Sequence, residues 1–293
     1  MNRLKLHLKS FGNLSFPERP KVFFEIFARR VFGIKPSPNF SAKSAFNLLM
    51  EQSQTVEKEG ALNRISLGGN DFPFSAQFYI RRNTMDIIIF QEILFRQGYR
   101  YIKELAGRLG LDVRYIIDAG ANIGSATVYL KSIFPEASIV SIEPESGNFA
   151  VLEKNINVNG FRNVTPLKAG LWNKKCWLQV KEGFRGGVEK ELSFYVEEVK
   201  GPGGDDTLQG VSVASVMEEH HFPRVDILKI DIEGAERYIF DSLEAIEATL
   251  KNVKILAIEV HEEVMDKWLL VDRLEQLGFR QISFGEILYA YRS

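Results

Sequence analysis

The chain has 293 residues, a net charge of −1 and a hydrophobic content of 45%. This length allows about one or two domains, and the hydrophobic content is sufficient for a large core. The balanced charge disfavours a dedicated nucleic-acid-binding protein, and the single cysteine, Cys176, excludes an internal disulfide framework. We expect a soluble, cytoplasmic protein, because no apolar run approaches the roughly 18 residues of a membrane span.

The first 110 residues are predicted to form an N-terminal helical arm and lead-in that helps to recognise a substrate. Residues 1–40 carry eight Lys or Arg side chains and two Glu side chains, interleaved with Leu and Phe. We favour a helical arm packed on the main domain, and peripheral contact with an anionic membrane is the alternative. The following pattern predicts these elements in order: a helix at Ser41–Glu59, strands at Arg64–Leu67 and Phe74–Ile80, and helices at Ile87–Phe95 and Tyr101–Arg108.

Residues 111–293 are predicted to form one domain in which strands alternate with helices. Strands are expected at Arg114–Ile117, Ser138–Ile142, Val164–Leu167, Val225–Ile230 and Ile255–Val260, and helices at Ser125–Phe134, Gly147–Val158, Ala235–Leu243 and Trp268–Leu277. A short helix should begin with a capping box at Ser215, and a β-hairpin insertion should occupy about residues 177–206.

The last two predicted strands, Arg280–Ser283 and Ile287–Tyr291, are joined by only three residues. Such a short link forbids a parallel crossover, so these strands must pair antiparallel. The sequence therefore predicts an α/β fold with a doubly wound, mostly parallel, seven-stranded sheet and an antiparallel last strand. This arrangement is typical of the Rossmann-like class I methyltransferases.

A glycine turn follows the first strand of this domain. Gly120 and Gly124 allow the backbone to approach a ligand closely, and Asn122 replaces the middle glycine of a dinucleotide-binding turn. Asp118 lies at the end of the strand, where a carboxylate would repel a pyrophosphate and attract an ammonium group. S-adenosylmethionine (SAM) has an ammonium group and no phosphate, so these residues favour SAM over NAD.

The second strand ends at another acid, Glu143, which is followed by Pro144. Glu143 comes nineteen residues after Gly124, and a carboxylate at this place can accept hydrogen bonds from both ribose hydroxyls. The alternative is an acid that caps the next helix. Together, Asp118, Gly120, Asn122, Gly124, Glu143 and Pro144 form the predicted cofactor-binding set.

Three stretches of the chain resemble the FkbM-type SAM-dependent methyltransferases. They are the segments 118–124 (DAGANIG), 141–144 (SIEP) and, most specifically, 228–236 (LKIDIEGAE). Arg82, Thr84 and Asp86 resemble the lead-in of that family more loosely. The resemblance covers about residues 80 to 293, and it implies a Rossmann-like fold and methylation of an oxygen, typically on a natural product or a sugar.

Candidate catalytic residues follow the fourth and fifth strands of the domain, on the acceptor side. They are Asp231, Glu233 and His261, which could hold Mg²⁺ or Mn²⁺ and so lower the pKa of an acceptor hydroxyl. In the second interpretation, His261 is a metal-free base that Glu259 or Asp231 orients. In the third, Lys229 pairs with Glu233 and Glu236 supports the next helix, so that these residues are structural.

The sequence therefore predicts a SAM-dependent O-methyltransferase that acts on a hydroxyl of a sugar, a polysaccharide precursor or a related polar metabolite. A polyketide or peptide natural product is the alternative acceptor. A SAM-binding module without turnover is the alternative from another functional class. The expected partner is a small-molecule or glycan acceptor, and we expect no nucleic-acid partner.

Overall fold

The computed structural model describes residues 55–68, 74–82, 84, 86–94, 99–182, 194–204, 206–262, 264–284 and 286–292. The basic arm and residues 41–54 of the predicted first helix lie outside these ranges. None of the helices within them is long and apolar enough to cross a bilayer.

The described part of the chain begins with a three-stranded antiparallel sheet, followed by two helices. The elements are β1 (Thr55–Glu59), β2 (Leu62–Leu67), β3 (Ala76–Arg81), α1 (Asp86–Leu94) and α2 (Arg100–Arg108). The predicted helix is wrong for residues 55–59, which form β1. Val56 packs against the core, and β1 pairs antiparallel with β2 from Thr55 to Glu59.

The remaining residues form a large sheet, a smaller sheet and six helices within the described ranges. In chain order the elements are β4 (Tyr115–Ala119), α3 (Ser125–Ile133), β5 (Ser138–Ile142), α4 (Ser146–Val158), β6 (Val164–Leu167), β7 (Ala169–Leu171), β8 (Cys176–Glu182), β9 (Phe194–Val199), β10 (Thr207–Val211), α5 (Val213–Glu219), β11 (Val225–Ile230), α6 (Glu236–Ile239), α7 (Leu243–Leu250), β12 (Val253–Glu259), α8 (Lys267–Gln276), β13 (Arg280–Phe284) and β14 (Ile287–Tyr291).

The large sheet has seven strands in the order β13-β14-β12-β11-β4-β5-β6. Its strands run parallel except β14, which pairs antiparallel with β12 on one side and β13 on the other. The predicted class I, Rossmann-like fold with one antiparallel strand is therefore confirmed. Strand order reverses beside β4, so its carboxyl end opens onto a crevice between two crossover connections, where ligands bind in such sheets.

The predicted hairpin is part of a four-stranded sheet, with the order β7-β10-β8-β9. Strands β8 and β9 pair antiparallel as predicted, and β7 and β10 are strands that the sequence pattern did not indicate. Both are short, and each carries a glycine against which a side chain of β8 packs closely. A Cβ atom on Gly170 would lie 2.7 Å from Leu178 Cδ1, and one on Gly210 would lie 2.6 Å from Cys176 Sγ.

Two helix predictions need correction. The predicted helix at Ala235–Leu243 is divided into α6 and α7, because the chain turns at Phe240 and Ser242 caps the second helix by accepting a hydrogen bond from Ala245 N. The capping box of α5 begins at Ser212 instead of Ser215, and the two serine side chains bond each other's backbone N–H groups.

The predicted boundary at residue 110 crosses one continuous hydrophobic core. Phe78 of β3 and Phe90 of α1 belong to the same buried cluster as Ile116 of β4 and Leu130 of α3. The rings of Phe78 and Phe90 pack edge to face, with centroids 4.8 Å apart. Helix α2 packs on β12 and β14 of the large sheet, whereas β3 and α1 pack on the helices α3 and α4.

Candidate active site

A crevice opens at the carboxyl ends of β4, β5 and β11 and extends beneath the four-stranded sheet. The space between its walls is about 610 Å³, including space open to solvent. Its lining residues are Gly120, Asn122, Ile142, Glu143, Pro144, Asn148, Gly170, Leu171, Phe194, Val196, Asp231, Ile232 and Glu233. Predicted donor-side and acceptor-side residues therefore share one cavity.

The glycine turn is pressed against the end of β11. Gly120 has a φ of +73°, and a Cβ atom there would lie 1.6 Å from the carbonyl oxygen of Asp231. Only glycine permits this approach, which joins the predicted cofactor turn to the predicted catalytic strand. Gly124 begins α3 with a φ of +88°, and a Cβ atom there would lie 2.7 Å from Leu152 Cδ1.

Asn122 occupies the left-handed region at a φ of +51°, a conformation that Asn tolerates better than most residues. Its side-chain oxygen accepts a hydrogen bond from Ile123 N at 2.8 Å, and its own N–H donates to Glu143 Oε2 at 2.8 Å. Asn122 thus shapes the turn and connects it to Glu143.

Glu143 lies at the end of β5 and is only 5% exposed. Its Oε1 accepts hydrogen bonds from Glu145 N at 2.9 Å and, more weakly, from Asn148 Nδ2 at 3.4 Å. Burial raises the pKa of Glu143 to about 7, against the opposing effect of these donors. Glu145, instead of Glu143, caps α4 by accepting bonds from Gly147 N and Asn148 N.

Asp118 lies behind the crevice wall and is fully buried. One oxygen accepts a hydrogen bond from Thr127 Oγ1 at 2.6 Å, and the other lies 3.2 Å from Lys229 Nζ. The expectation that Asp118 faces an ammonium group directly does not match this placement, because a buried cation of the protein already occupies that side.

Lys229 is the buried cation beneath the site. Its Nζ donates to Gly120 O at 2.7 Å and lies 3.8 Å from Asp231 Oδ2, in addition to its contact with Asp118. Burial would lower the pKa of Lys229, but the charges of Asp118 and Asp231 outweigh it and raise the pKa. The predicted Lys229–Glu233 pair is replaced by these contacts, and Lys229 fixes the glycine turn against Asp231.

His261 lies at the acceptor side and is oriented by Glu236, which is fully buried. His261 Nδ1 is 3.1 Å from Glu236 Oε1, and the same oxygen accepts a bond from Ile232 N. The prediction that Glu259 or Asp231 orients the ring is therefore wrong. Glu236 is the first residue of α6, six residues after the end of β11.

The electrostatics of this side are dominated by acids. Burial by itself would lower the pKa of His261, but Glu236, Asp231 and Glu233 raise it to about 9, so the ring is an imidazolium at neutral pH. The nearby Asp231 charge, together with burial, raises the pKa of Glu259 to about 8. Burial also raises the pKa of Asp231, whose side chain remains 28% exposed at the crevice.

Asp231, Glu233 and His261 are close enough to bind one metal ion. Each offers a ligand atom, and these atoms all lie within 4.8 Å of one another. Carboxylate oxygens and an imidazole suit Mg²⁺ or Mn²⁺. Glu233 is held at a φ of +55°, a strained conformation for its residue type that is common at functional sites.

A family model described as the Methyltransferase FkbM domain matches residues 118–281, which is more than half of the chain. The chain belongs to this family. The matched region runs from β4 to the start of β13 and contains the glycine turn, Glu143, Asp231 and His261. The three-stranded sheet and the first two helices precede it.

The chain is similar to two curated methyltransferases. It is 26% identical over 151 residues to Methyltransferase 1 of Beauveria bassiana (strain ARSEF 2860), a match that covers 45% of this chain and 59% of that protein. It is 27% identical over 191 residues to Methyltransferase sdnD of Sordaria araneosa, covering 56% of this chain and 73% of that protein. The chain thus spans about three-fifths of the length of the first relative.

Solved structures with a similar arrangement include two methyltransferases. One is magnesium protoporphyrin IX methyltransferase from Synechocystis PCC 6803 with bound SAM, with 14% identity, a TM-score of 0.39 and coverage of 68% of this chain and 79% of that chain. The other is the N-terminal domain of human METTL16 in complex with SAH, with 13% identity, a TM-score of 0.39 and coverage of 67% of each chain.

Among the residues that sequence reasoning missed at the crevice of this FkbM family member are Asn148, Phe194 and Glu236. Asn148 and Phe194 line it, and Glu236 orients His261. The position of Asn148, in the first turn of the helix after Glu143, was a usable signal, because the start of that helix faces the ligand crevice. Phe194 belongs to the four-stranded sheet, and no local sequence pattern indicates that this sheet lines the crevice.

Proposed function

We propose that this chain is a SAM-dependent methyltransferase that transfers the methyl group to an oxygen atom. The observation that carries the proposal is the placement of Glu143, which lines the crevice beside the glycine turn and accepts a hydrogen bond from the Asn122 N–H of that turn. A buried carboxylate there suits the two ribose hydroxyls of a nucleoside and opposes a pyrophosphate. Membership of the FkbM family supports the same conclusion.

The reaction is an in-line displacement. A lone pair of the acceptor oxygen attacks the methyl carbon of SAM, and the carbon–sulfur bond breaks with its electron pair moving to sulfur. The products are the methylated acceptor, S-adenosylhomocysteine (SAH) and a proton. The protein contributes alignment of the two reactants in the crevice, an effect worth several kcal/mol in comparable reactions, and a group that receives the proton.

We assign the proton-accepting role to the cluster of Asp231, Glu233 and His261. In the metal-free form, a carboxylate of the cluster receives the proton at neutral pH, because His261 is already protonated there and is fixed by Glu236 through Nδ1. In the metal-bound form, the same three side chains would hold Mg²⁺ or Mn²⁺, which would lower the pKa of the acceptor hydroxyl. Such an ion would replace the proton of His261.

We propose a hydroxyl of a sugar, a polysaccharide precursor or a related polar metabolite as the acceptor. The acceptor side presents carboxylates and an imidazole, which favour a hydroxyl-rich molecule over an apolar or anionic one. The net charge of −1 supports a partner other than nucleic acid, and we place the enzyme in the cytoplasm.

The test is SAH release from the full chain with a panel of sugars, polysaccharide precursors, polyketides and peptides. We expect release with a hydroxylated polar acceptor and a loss of about 100-fold or more in Asp231→Asn. Asp272→Asn, an exposed position on α8, is the matched control and should retain activity.

Dialysis against chelator, followed by assay with and without Mg²⁺, separates the metal-bound from the metal-free form. SAM binding without SAH release on any acceptor would contradict the proposal.

A further inference from the structure

Strand β3 lies outside the family-matched region but is joined to the donor side of the crevice by asparagine side chains of α4 and of its C-terminal cap, Asn159. Asn159 bonds the backbone of Gln77 in both directions, at 2.8 and 2.7 Å. Asn155 does the same for Tyr79, at 2.5 and 3.0 Å. These amides form hydrogen bonds with the edge of β3 as a neighbouring strand would. They therefore fix the three-stranded sheet to α4, the helix that follows Glu143.

The next contact in this series reaches the crevice. Arg81, at the end of β3, donates from Nη2 to Asn148 Oδ1 at 2.6 Å. The guanidinium is itself held by Asp86, which is 3% exposed and accepts bonds from Arg81 Nε at 3.0 Å and from Nη2 at 2.8 Å. Arg81 therefore has a fixed position, although its side chain is 25% exposed.

This geometry determines which way the Asn148 amide faces. A guanidinium can only donate hydrogen bonds, so the amide oxygen must point to Arg81 and the NH₂ group must point away from it. The NH₂ group then lies on the side of Glu143, 3.4 Å from its Oε1, and Asn148 lines the crevice. The crevice thus presents a fixed donor beside an acidic acceptor.

We propose that Asn148 is a nucleoside contact of the donor site and that Arg81 and Asp86 are its positioning residues. This inference rests on the proposed SAM-dependent function. Glu143 accepts bonds from ribose hydroxyls, and the Asn148 NH₂ group donates to an acceptor atom of the nucleoside, either a ribose oxygen or a ring nitrogen of the base. The three-stranded sheet, which precedes the family-matched region, is then part of the SAM site.

The first test is SAH binding to full-length variants, measured by titration calorimetry. Asn148→Asp keeps an acceptor for Arg81, so the fold should be retained, but it removes the NH₂ donor and places a second carboxylate beside Glu143. We expect a loss of affinity of about tenfold or more. Arg81→Met should lose about threefold to tenfold, because the amide is no longer held in one orientation. Arg82→Met removes the same charge at an exposed neighbouring position and should stay within about twofold of wild type.

A double-mutant cycle with Arg81→Met and Asn148→Leu separates positioning from general stability. If Arg81 acts through Asn148, Arg81→Met should cost little further affinity once Asn148 is replaced. Melting temperatures without ligand, together with the double variant Arg81→Met/Asp86→Asn, control for the burial of an unpaired Asp86. Equal SAH affinity in wild type and Asn148→Asp, or additive losses in the cycle, would overturn the inference. Failure of wild type to bind SAH would instead overturn the proposed function.

Discussion

At the scale of single residues, Gly120 is the point where the glycine turn meets the end of β11. The absence of a side chain there allows the carbonyl oxygen of Asp231 to approach, and Lys229 then binds the carbonyl oxygen of Gly120 from below. The donor and acceptor sides of the crevice are therefore parts of one packed unit.

Gly120→Ala should disrupt this unit. A Cβ atom at 1.6 Å from Asp231 O cannot be accommodated without moving β11 or the turn, and the φ of +73° adds backbone strain. We expect a loss of more than about 3 kcal/mol in the free energy of unfolding, measured by denaturant titration. Gly107→Ala is the control, because a Cβ atom in that helix has no neighbour within 4 Å. That variant should be neutral or slightly more stable, and a wild-type stability for Gly120→Ala would contradict the geometry.

The raised pKa of Glu143 predicts that SAM binding depends on pH. Because burial raises its pKa to about 7 in the folded protein, ionising it costs folding free energy as the pH rises from the unfolded pKa towards 7. Ribose hydroxyls that donate to the carboxylate favour the ionised form. We therefore expect SAM affinity to rise by up to about tenfold between about pH 6 and pH 8. Calorimetry on Glu143→Gln should give a flatter profile; an equally steep one would exclude Glu143 as the titrating group.

At the scale of elements, the four-stranded sheet covers the crevice through β9. Side chains alternate along a strand, and Phe194 and Val196 both line the crevice, so Tyr195 between them faces the other way and is 38% exposed. The four-stranded sheet thus forms one wall of the crevice.

Phe194→Ala should weaken SAM binding while Tyr195→Ala should not. Loss of an aromatic wall costs about 1–2 kcal/mol of apolar contact, which corresponds to roughly a tenfold higher dissociation constant. Tyr195→Ala, in the same strand, controls for damage to β9. Equal affinities in the two variants would show that β9 does not contact the ligand.

A sequence pattern predicts the elements that depend on residues close together in the chain. The parallel strands, the glycine turn and Glu143 follow from periodicity and from residues that are close in the chain. The contacts that complete the site are remote: Arg81 and Asn148 are 67 residues apart, and Asp118 and Lys229 are on different strands. The sequence shows that each is polar, but it does not show which partner the fold supplies.

At the scale of the whole molecule, the family-matched region depends on the segment before it. Phe78, Phe90 and Ile102 are almost fully buried in the same core as the large sheet. The predicted division at residue 110 remains a prediction, but a shared core of this kind is inconsistent with independent folding of either side.

Removal of residues 1–110 should therefore expose apolar surface on α3, α4, β12 and β14. We expect residues 111–293 alone to lose cooperative thermal unfolding and to bind a dye that reports exposed apolar surface. The full chain, measured under the same conditions, is the reference. A shortened chain that begins at residue 111 and melts as cooperatively as the full chain would contradict the shared core.

The central claim is that the crevice beside Glu143 binds SAM for methyl transfer. Titration calorimetry of the full chain with SAM and, separately, with NAD tests it most directly. We expect SAM to bind with a dissociation constant in the range of about 1 μM to 1 mM, Glu143→Ala to weaken it by about tenfold or more, and NAD to give no binding heat. Binding of NAD but not SAM, or SAM binding that Glu143→Ala leaves unchanged, would contradict the claim.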